Sequence, residues 1–132
     1  MSRLALDTSA YSGLMRGHAE IQRALESAEE IMVSPIVLGE LHAGFRKGSR
    51  LAENERRLFR FLSMEDVSIS PMDEDTAVAY AEIVNHLGRA GRPIPTNDIW
   101  IAADALRHGL RLLTTDAHYK HVPQIIVEWY PA

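Results

Sequence analysis

The chain of 132 residues contains no cysteine, which excludes disulfides and thiolate chemistry and suits a reducing compartment. It has no apolar run long enough to span a bilayer, and its amino terminus has no basic stretch leading into a signal-like core. A soluble, cytoplasmic protein with no membrane association is therefore expected. The motifs of several enzyme classes are also missing. There is no HExxH of a zinc protease, no glycine-rich phosphate loop and no GxSxG nucleophile elbow. A receiver domain would place paired acids after the first strand and a lysine after a late one, and neither is present. Aromatic side chains make up only 7%, and Trp100, Trp129, Phe45 and Phe59 are read as core or interface residues rather than base-stacking platforms. Repeats, linkers and low-complexity tracts are absent, so residues 1–132 are expected to form one domain.

What is present alternates between strand and helix patterns. Strands are expected near residues 3–7, at Ile31 to Val33, at Val67 to Ile69, at Leu112 to Thr114 and at Ile125 to Glu128. Helical patterns run through Tyr11, Leu14 and Met15, through Ile21 and Leu25, and from Leu51 to Met64. Another starts at Ser34 and Pro35, an N-cap followed by proline in the first turn. Asp73 caps a long helix that keeps its period through Ala77, Tyr80, Ala81, Val84 and Leu87 up to Gly88 and Gly91, and a further helix begins at Asp98 and stops at Gly109. This order predicts an α/β domain of three layers, with a mainly parallel central sheet of about five strands.

Four acids stand out against that frame. Asp7 closes the run Leu4-Ala5-Leu6 and Asp116 follows Leu112-Leu113-Thr114-Thr115, so both should leave the carboxyl ends of buried strands, where open parallel sheets bind ligands. At about 100° per residue, Glu40 falls between Ile36 and Val37 on the apolar face of its helix. Asp98 has Ile101, Ala102 and Ala105 as its helical neighbours and points the same way. A buried carboxylate without a partner is costly or stays protonated, and a hard cation is a natural partner for several. Each acid except Glu40 also has a plainer role: Asp7 as a helix cap, Asp98 at the positive end of a helix, Asp116 in a turn.

Net charge follows the same division. The chain has 14 basic and 18 acidic side chains, so setting the four acids aside leaves 14 of each sign. Arg46, Lys47, Arg50, Arg56, Arg57 and Arg60 place six of the 14 basic residues within fifteen positions. That cluster suits contact with a phosphate backbone, and equally a solvated helix face in which Glu53 and Glu55 balance the charge.

The blocks LALDTSAY, PIVLGELHAG, NDIWIAADAL and TTDAHY resemble, in order and spacing, the four signature blocks of PIN-domain nucleases, and the small size resembles the VapC-type toxins among them. The resemblance covers essentially the whole chain. It implies a PIN-like fold and a quartet of Asp7, Glu40, Asp98 and Asp116, with Thr114 as a supporting polar residue and Tyr119 at the family's aromatic position. It further implies an RNA substrate, a magnesium or manganese cofactor, a small antitoxin partner and a homodimer.

The chemistry is consistent with that resemblance on independent grounds. Phosphodiester hydrolysis needs an activated water and stabilisation of phosphoryl charge, which divalent ions on carboxylates supply. Magnesium accepts oxygen ligands and keeps several waters, so two to four carboxylates are enough. A zinc site at His118 and His121 has little support because both fall in an expected surface turn. Two other readings stay open at this point. One is a partner-binding or co-repressor module whose acids hold a structural ion, and the other is a nuclease for RNA maturation or DNA.

Overall fold

The computed structural model describes residues 2–132. Five strands form one sheet: β1 (Ser2–Leu6), β2 (Ala28–Val33), β3 (Val67–Ile69), β4 (Arg111–Thr114) and β5 (Val127–Trp129). Their order across the sheet is β3-β2-β1-β4-β5, and every pairing is parallel. The six helices are α1 (Thr8–Met15), α2 (Ala19–Glu26), α3 (Pro35–Lys47), α4 (Leu51–Leu62), α5 (Glu74–Ala90) and α6 (Thr96–His108). No helix among the described residues is long and apolar enough to cross a membrane.

Local sequence explains where these elements start and stop. The Asp7 carboxylate accepts the Ala10 N–H at 2.9 Å and caps α1. Ser34 accepts the Val37 N–H at 3.2 Å and caps α3, with Pro35 in the first turn where its missing N–H costs nothing. Asp73 and Thr76 form a reciprocal capping box at the start of α5. Both α5 and α6 stop on a glycine in the left-handed region, Gly91 at φ 67° and Gly109 at φ 65°, a conformation that side-chain-bearing residues rarely adopt.

The core is the sheet and what covers it. Leu4, Ala5 and Leu6 are buried in succession, so both faces of β1 are shielded from water, as a central parallel strand requires. Leu112 and Leu113 on β4 and Ile31 and Val33 on β2 continue this layer, with Ile21, Val37, Ile83, Leu87 and Ala102 packed over it. Tyr11 and Leu58 are core residues at 2% exposure. Phe59, expected in a core or at an interface, is 72% exposed.

Several boundaries differ from expectation, and β2 starts three residues earlier than its apolar run, at Ala28. The helix carrying Asp98 begins two residues earlier, at Thr96 behind Pro95, because the proline supplies the extended residue from which the helix starts. The last strand begins two residues later and ends one residue later than its apolar pattern predicts. Residues 125 and 126 still belong to the approach, and Leu112 N–H bonds the Ile126 carbonyl at 2.9 Å before the register Leu112 to Val127 sets in.

Candidate metal centre

Sheet order creates the site. From β1 the chain moves to one side through β2 and β3 and returns on the other as β4 and β5. The carboxyl ends of β1 and β4 are thus the switch point at which a crevice opens. Leu6 pairs with Leu113, and the Asp7 N–H reaches the Leu113 carbonyl at 3.3 Å. Asp7 and Asp116, 109 positions apart in sequence, follow the strand ends that this pairing brings together.

Asp7 is almost fully buried and held on all sides. Its Oδ1 accepts from the Ala10 N–H and from Ser9 Oγ at 2.8 Å, and its Oδ2 accepts from Thr114 Oγ1 at 2.8 Å. Burial nevertheless outweighs these bonds and, with the charge of Asp116, pushes its carboxyl up to about 6. Thr114 Oγ1 in turn accepts the Asp116 N–H at 2.9 Å, so one hydroxyl orients two acids. Ser9 Oγ also receives the Thr115 N–H at 3.0 Å, which ties the start of α1 to the end of β4.

Glu40 enters from α3. Its Oε1 accepts from Thr8 Oγ1 at 2.6 Å, and its Oε2 from Asn97 Nδ2 at 3.4 Å. Asp98 stands in the first turn of α6, half-buried and making no cap to its own helix. Desolvation raises its carboxyl, and the charges of Asp116 and Glu40 raise it further. Asp116 Oδ1 accepts the His118 N–H at 2.9 Å at the head of a 3-10 turn over Ala117–His121. Asp98 and Asp116, with His118, bring ligand atoms within 4.8 Å of one another, whereas Asp7 and Glu40 lie outside that compact group and act on it through charge, Asp7 with Asp116 and Glu40 with Asp98. Among the described residues, none of the four acids pairs with a lysine or arginine.

Two neighbours were not foreseen as parts of this cluster. His118 Nδ1 lies 3.3 Å from Asp116 Oδ1 and 3.8 Å from Asp98 Oδ2. His121, its expected companion in a surface turn, faces away and contacts Arg92 at 3.3 Å. The Tyr119 side chain is fully buried, and its hydroxyl leans toward Asp98 without forming a hydrogen bond of good geometry. Burial and the charges of Asp7, Asp98 and Asp116 hold its pKa well above the ordinary phenol value, so it faces the acids as a neutral hydroxyl. The D-x-H-Y spacing was the available signal, since a 3-10 turn returns the side chain two residues on toward its cap. Asp104, a further buried acid on α6, lies outside the cluster and is approached by His108 Nε2 at 3.5 Å.

Most of the basic cluster on α3 and α4 is not drawn toward the acids by any recorded bond. Arg46 approaches Glu55 at 3.7 Å, and Arg57 Nη2 donates to the Met15 carbonyl at 3.3 Å.

Carboxylates that repel one another, have no lysine or arginine partner and face a buried hydroxyl without a well-formed bond fit a bound hard cation. Desolvation without compensation otherwise leaves protonation as the only relief. Comparison with known proteins points the same way. The PIN domain family model matches residues 4–125. Ribonuclease VapC4 of Mycobacterium tuberculosis is 33% identical over 125 residues, covering 95% of each chain. Ribonuclease VapC5 of the same organism is 31% identical over 111 residues, covering 84% of this chain and 81% of its own. Among solved structures, VapBC2 from Rickettsia felis, bound to a DNA fragment from its promoter, aligns with a TM-score of 0.84 at 28% identity, over 95% of this chain and 96% of that one.

Proposed function

The chain belongs to the PIN-domain family and, within it, to the VapC ribonucleases, and from that premise we propose that it is a metal-dependent endoribonuclease, the toxin of a VapBC-type toxin-antitoxin pair. Its centre is the quartet Asp7, Glu40, Asp98 and Asp116. The observation that supports this reading is the group of Asp98, Asp116 and His118 beside the carboxyl ends of β1 and β4, with the charges of Asp7 and Glu40 acting on it and no lysine or arginine paired to it.

Oxygen donors favour magnesium or manganese over zinc. When bound, such an ion supplies Lewis acidity toward phosphoryl oxygens and makes water more acidic. The protein's own part is positional. Ser9, Thr114 and the Ala10 N–H fix Asp7 in one orientation, and Thr8 and Asn97 fix Glu40. Asp98 is tied to no backbone N–H of its own helix and is approached only by the Tyr119 hydroxyl and His118, so its carboxylate is the one left to orient the attacking water. The open side beyond Asp116 and His118 is where an RNA phosphate approaches.

The partner is a small antitoxin protein, and the family relation implies a homodimer. A shallow groove of about 540 Å³ between α1 and α4 is lined by Leu14, Met15, Arg57, Phe61 and Met64. It suits the apolar face of an amphipathic segment of that antitoxin.

Cleavage of whole-cell RNA by the purified protein tests the enzymatic reading. Cleavage should need magnesium or manganese, stop with a chelator and vanish in Asp98→Asn, while the variant keeps its circular dichroism spectrum. Undiminished cleavage in excess chelator would refute the metal-dependent reading. A folded wild-type protein that cuts no RNA with either metal leaves the acids a structural ion site on a partner-binding module.

A further inference from the structure

We propose that His118 contributes a nitrogen ligand, through Nδ1, to the divalent ion held by Asp98 and Asp116, and that this ligand biases the centre toward manganese over magnesium. The inference rests on the metal-dependent reading above and adds a donor that the acidic quartet does not contain.

Geometry is the first support. One donor atom from each of Asp98, Asp116 and His118 lies within 4.8 Å of the others. Two ligands on one octahedral ion with bonds of about 2.1 Å stand about 3 Å apart when adjacent and about 4.2 Å apart when opposite. The separations of Nδ1 from the two carboxylates, 3.3 and 3.8 Å, lie within that range. The arrangement also follows from the local fold. Asp116 caps the 3-10 turn by accepting the His118 N–H, and that bond turns the imidazole back over the carboxylate.

The second support is independent of the first. Tyr119, the next residue, projects a fully buried hydroxyl among Asp7, Asp98 and Asp116 that leans toward Asp98 without a well-formed hydrogen bond. Buried hydroxyls are rarely left without a good bond, so one aimed into a group of acids marks space that an occupant with its own polar shell completes. His118 forms the outer wall of that space, with its side chain 56% exposed against 16% for Asp98. An ion there has protein on one side and water or substrate on the other.

The metal bias follows from donor chemistry. Magnesium is selective for oxygen and gives up its waters reluctantly, whereas imidazole suits the transition metals. Replacing one oxygen donor by Nδ1 therefore improves manganese relative to magnesium.

The test uses the full chain loaded with manganese. Pulsed electron paramagnetic resonance should detect directly coordinated nitrogen in the wild type, with the coupling pattern changed by 15N-histidine labelling. The coupling should be lost in His118→Ala and kept in His121→Ala. By calorimetry, His118→Ala should bind manganese at least about tenfold more weakly, since even outer-shell partners of ligands typically cost 10- to 100-fold. Its magnesium affinity should fall less. A wild-type manganese signal without nitrogen coupling, or one that survives His118→Ala, overturns the inference and leaves an all-oxygen centre intact. Failure of the wild type to bind either ion refutes both the inference and the metal-dependent reading. The labelled wild-type spectrum decides the matter even if the alanine variant does not fold.

Discussion

In the metal-free protein, the pH dependence of stability should carry the signature of Asp7, and Asp7→Asn should erase it. Burial raises this carboxyl from 3.8 to about 6, so the folded protein holds a proton more tightly than the unfolded chain does. Stability is then greatest below the unfolded value, falls as pH rises through the window from about 4 to about 6, and levels off above it. A displacement of this size corresponds to about 3 kcal/mol. In a domain of this length that is on the order of 10 °C in melting temperature. Asparagine has the same shape and no charge. It changes the bonds to Ser9, Ala10 and Thr114 by an amount that does not vary with pH, so the diagnostic quantity is the difference between the two melting curves across pH. Wild type should lose about 10 °C relative to Asp7→Asn between pH 4 and pH 7 in chelator. Saturating divalent ion should offset most of the loss in wild type, because its ligands must be deprotonated. At a hundredfold excess over Kd, the ion contributes about 2.7 kcal/mol, nearly the whole loss. A melting difference that stays constant from pH 4 to pH 7 in chelator would show that Asp7 folds ionised, and the argument from burial would fail.

Much of the fold was legible because its signals are local. Ser34-Pro35, Asp73 with Thr76, and the glycines after α5 and α6 each act within one helical turn, and the structure places the boundaries at those residues. The end of the chain was less legible, since the apolar pattern at Ile125 does not say where pairing with β4 begins. That is set by the 3-10 turn and by the register of a neighbouring strand. At the site, the plain and the chemical readings of Asp7 and Asp116 turn out to be compatible. A carboxylate has two oxygens, so Asp7 caps α1 and Asp116 caps a turn while both face the same space. Asp98 caps nothing, because Pro95 begins its helix, but it does lie in the first turn, at the positive end that its plainer role assigned to it. Side-chain depth was least legible. Leu58 and Phe59 are adjacent and similarly apolar, yet one is core and the other solvent-facing, because helical phase relative to β3 and α1 decides burial. Sequence period alone leaves that phase uncertain by about one residue.

That contrast can be measured: Leu58→Ala should cost about 2–5 kcal/mol in denaturant unfolding and Phe59→Ala within about 0.5 kcal/mol, and similar midpoints for the two would mean that α4 is rotated from its assigned phase. Met15→Gln, in the groove between α1 and α4, should leave RNA cleavage intact but weaken inhibition by the protein encoded alongside this one. Equal inhibition of variant and wild type at limiting partner would move the docking surface elsewhere. Thr114→Val keeps the volume of a fully buried side chain but removes the donor to Asp7 and the acceptor of the Asp116 N–H. The loss of both bonds should cost about 1–3 kcal/mol of stability. Because the hydroxyl holds two acids in register, the loss should also weaken divalent-ion binding by about 10- to 100-fold. Thr115→Val is the matched control, since Thr115 joins the network only through its backbone N–H. If calorimetry finds the two variants binding manganese as tightly as each other, Thr114 is a packing residue and the acids are oriented without it.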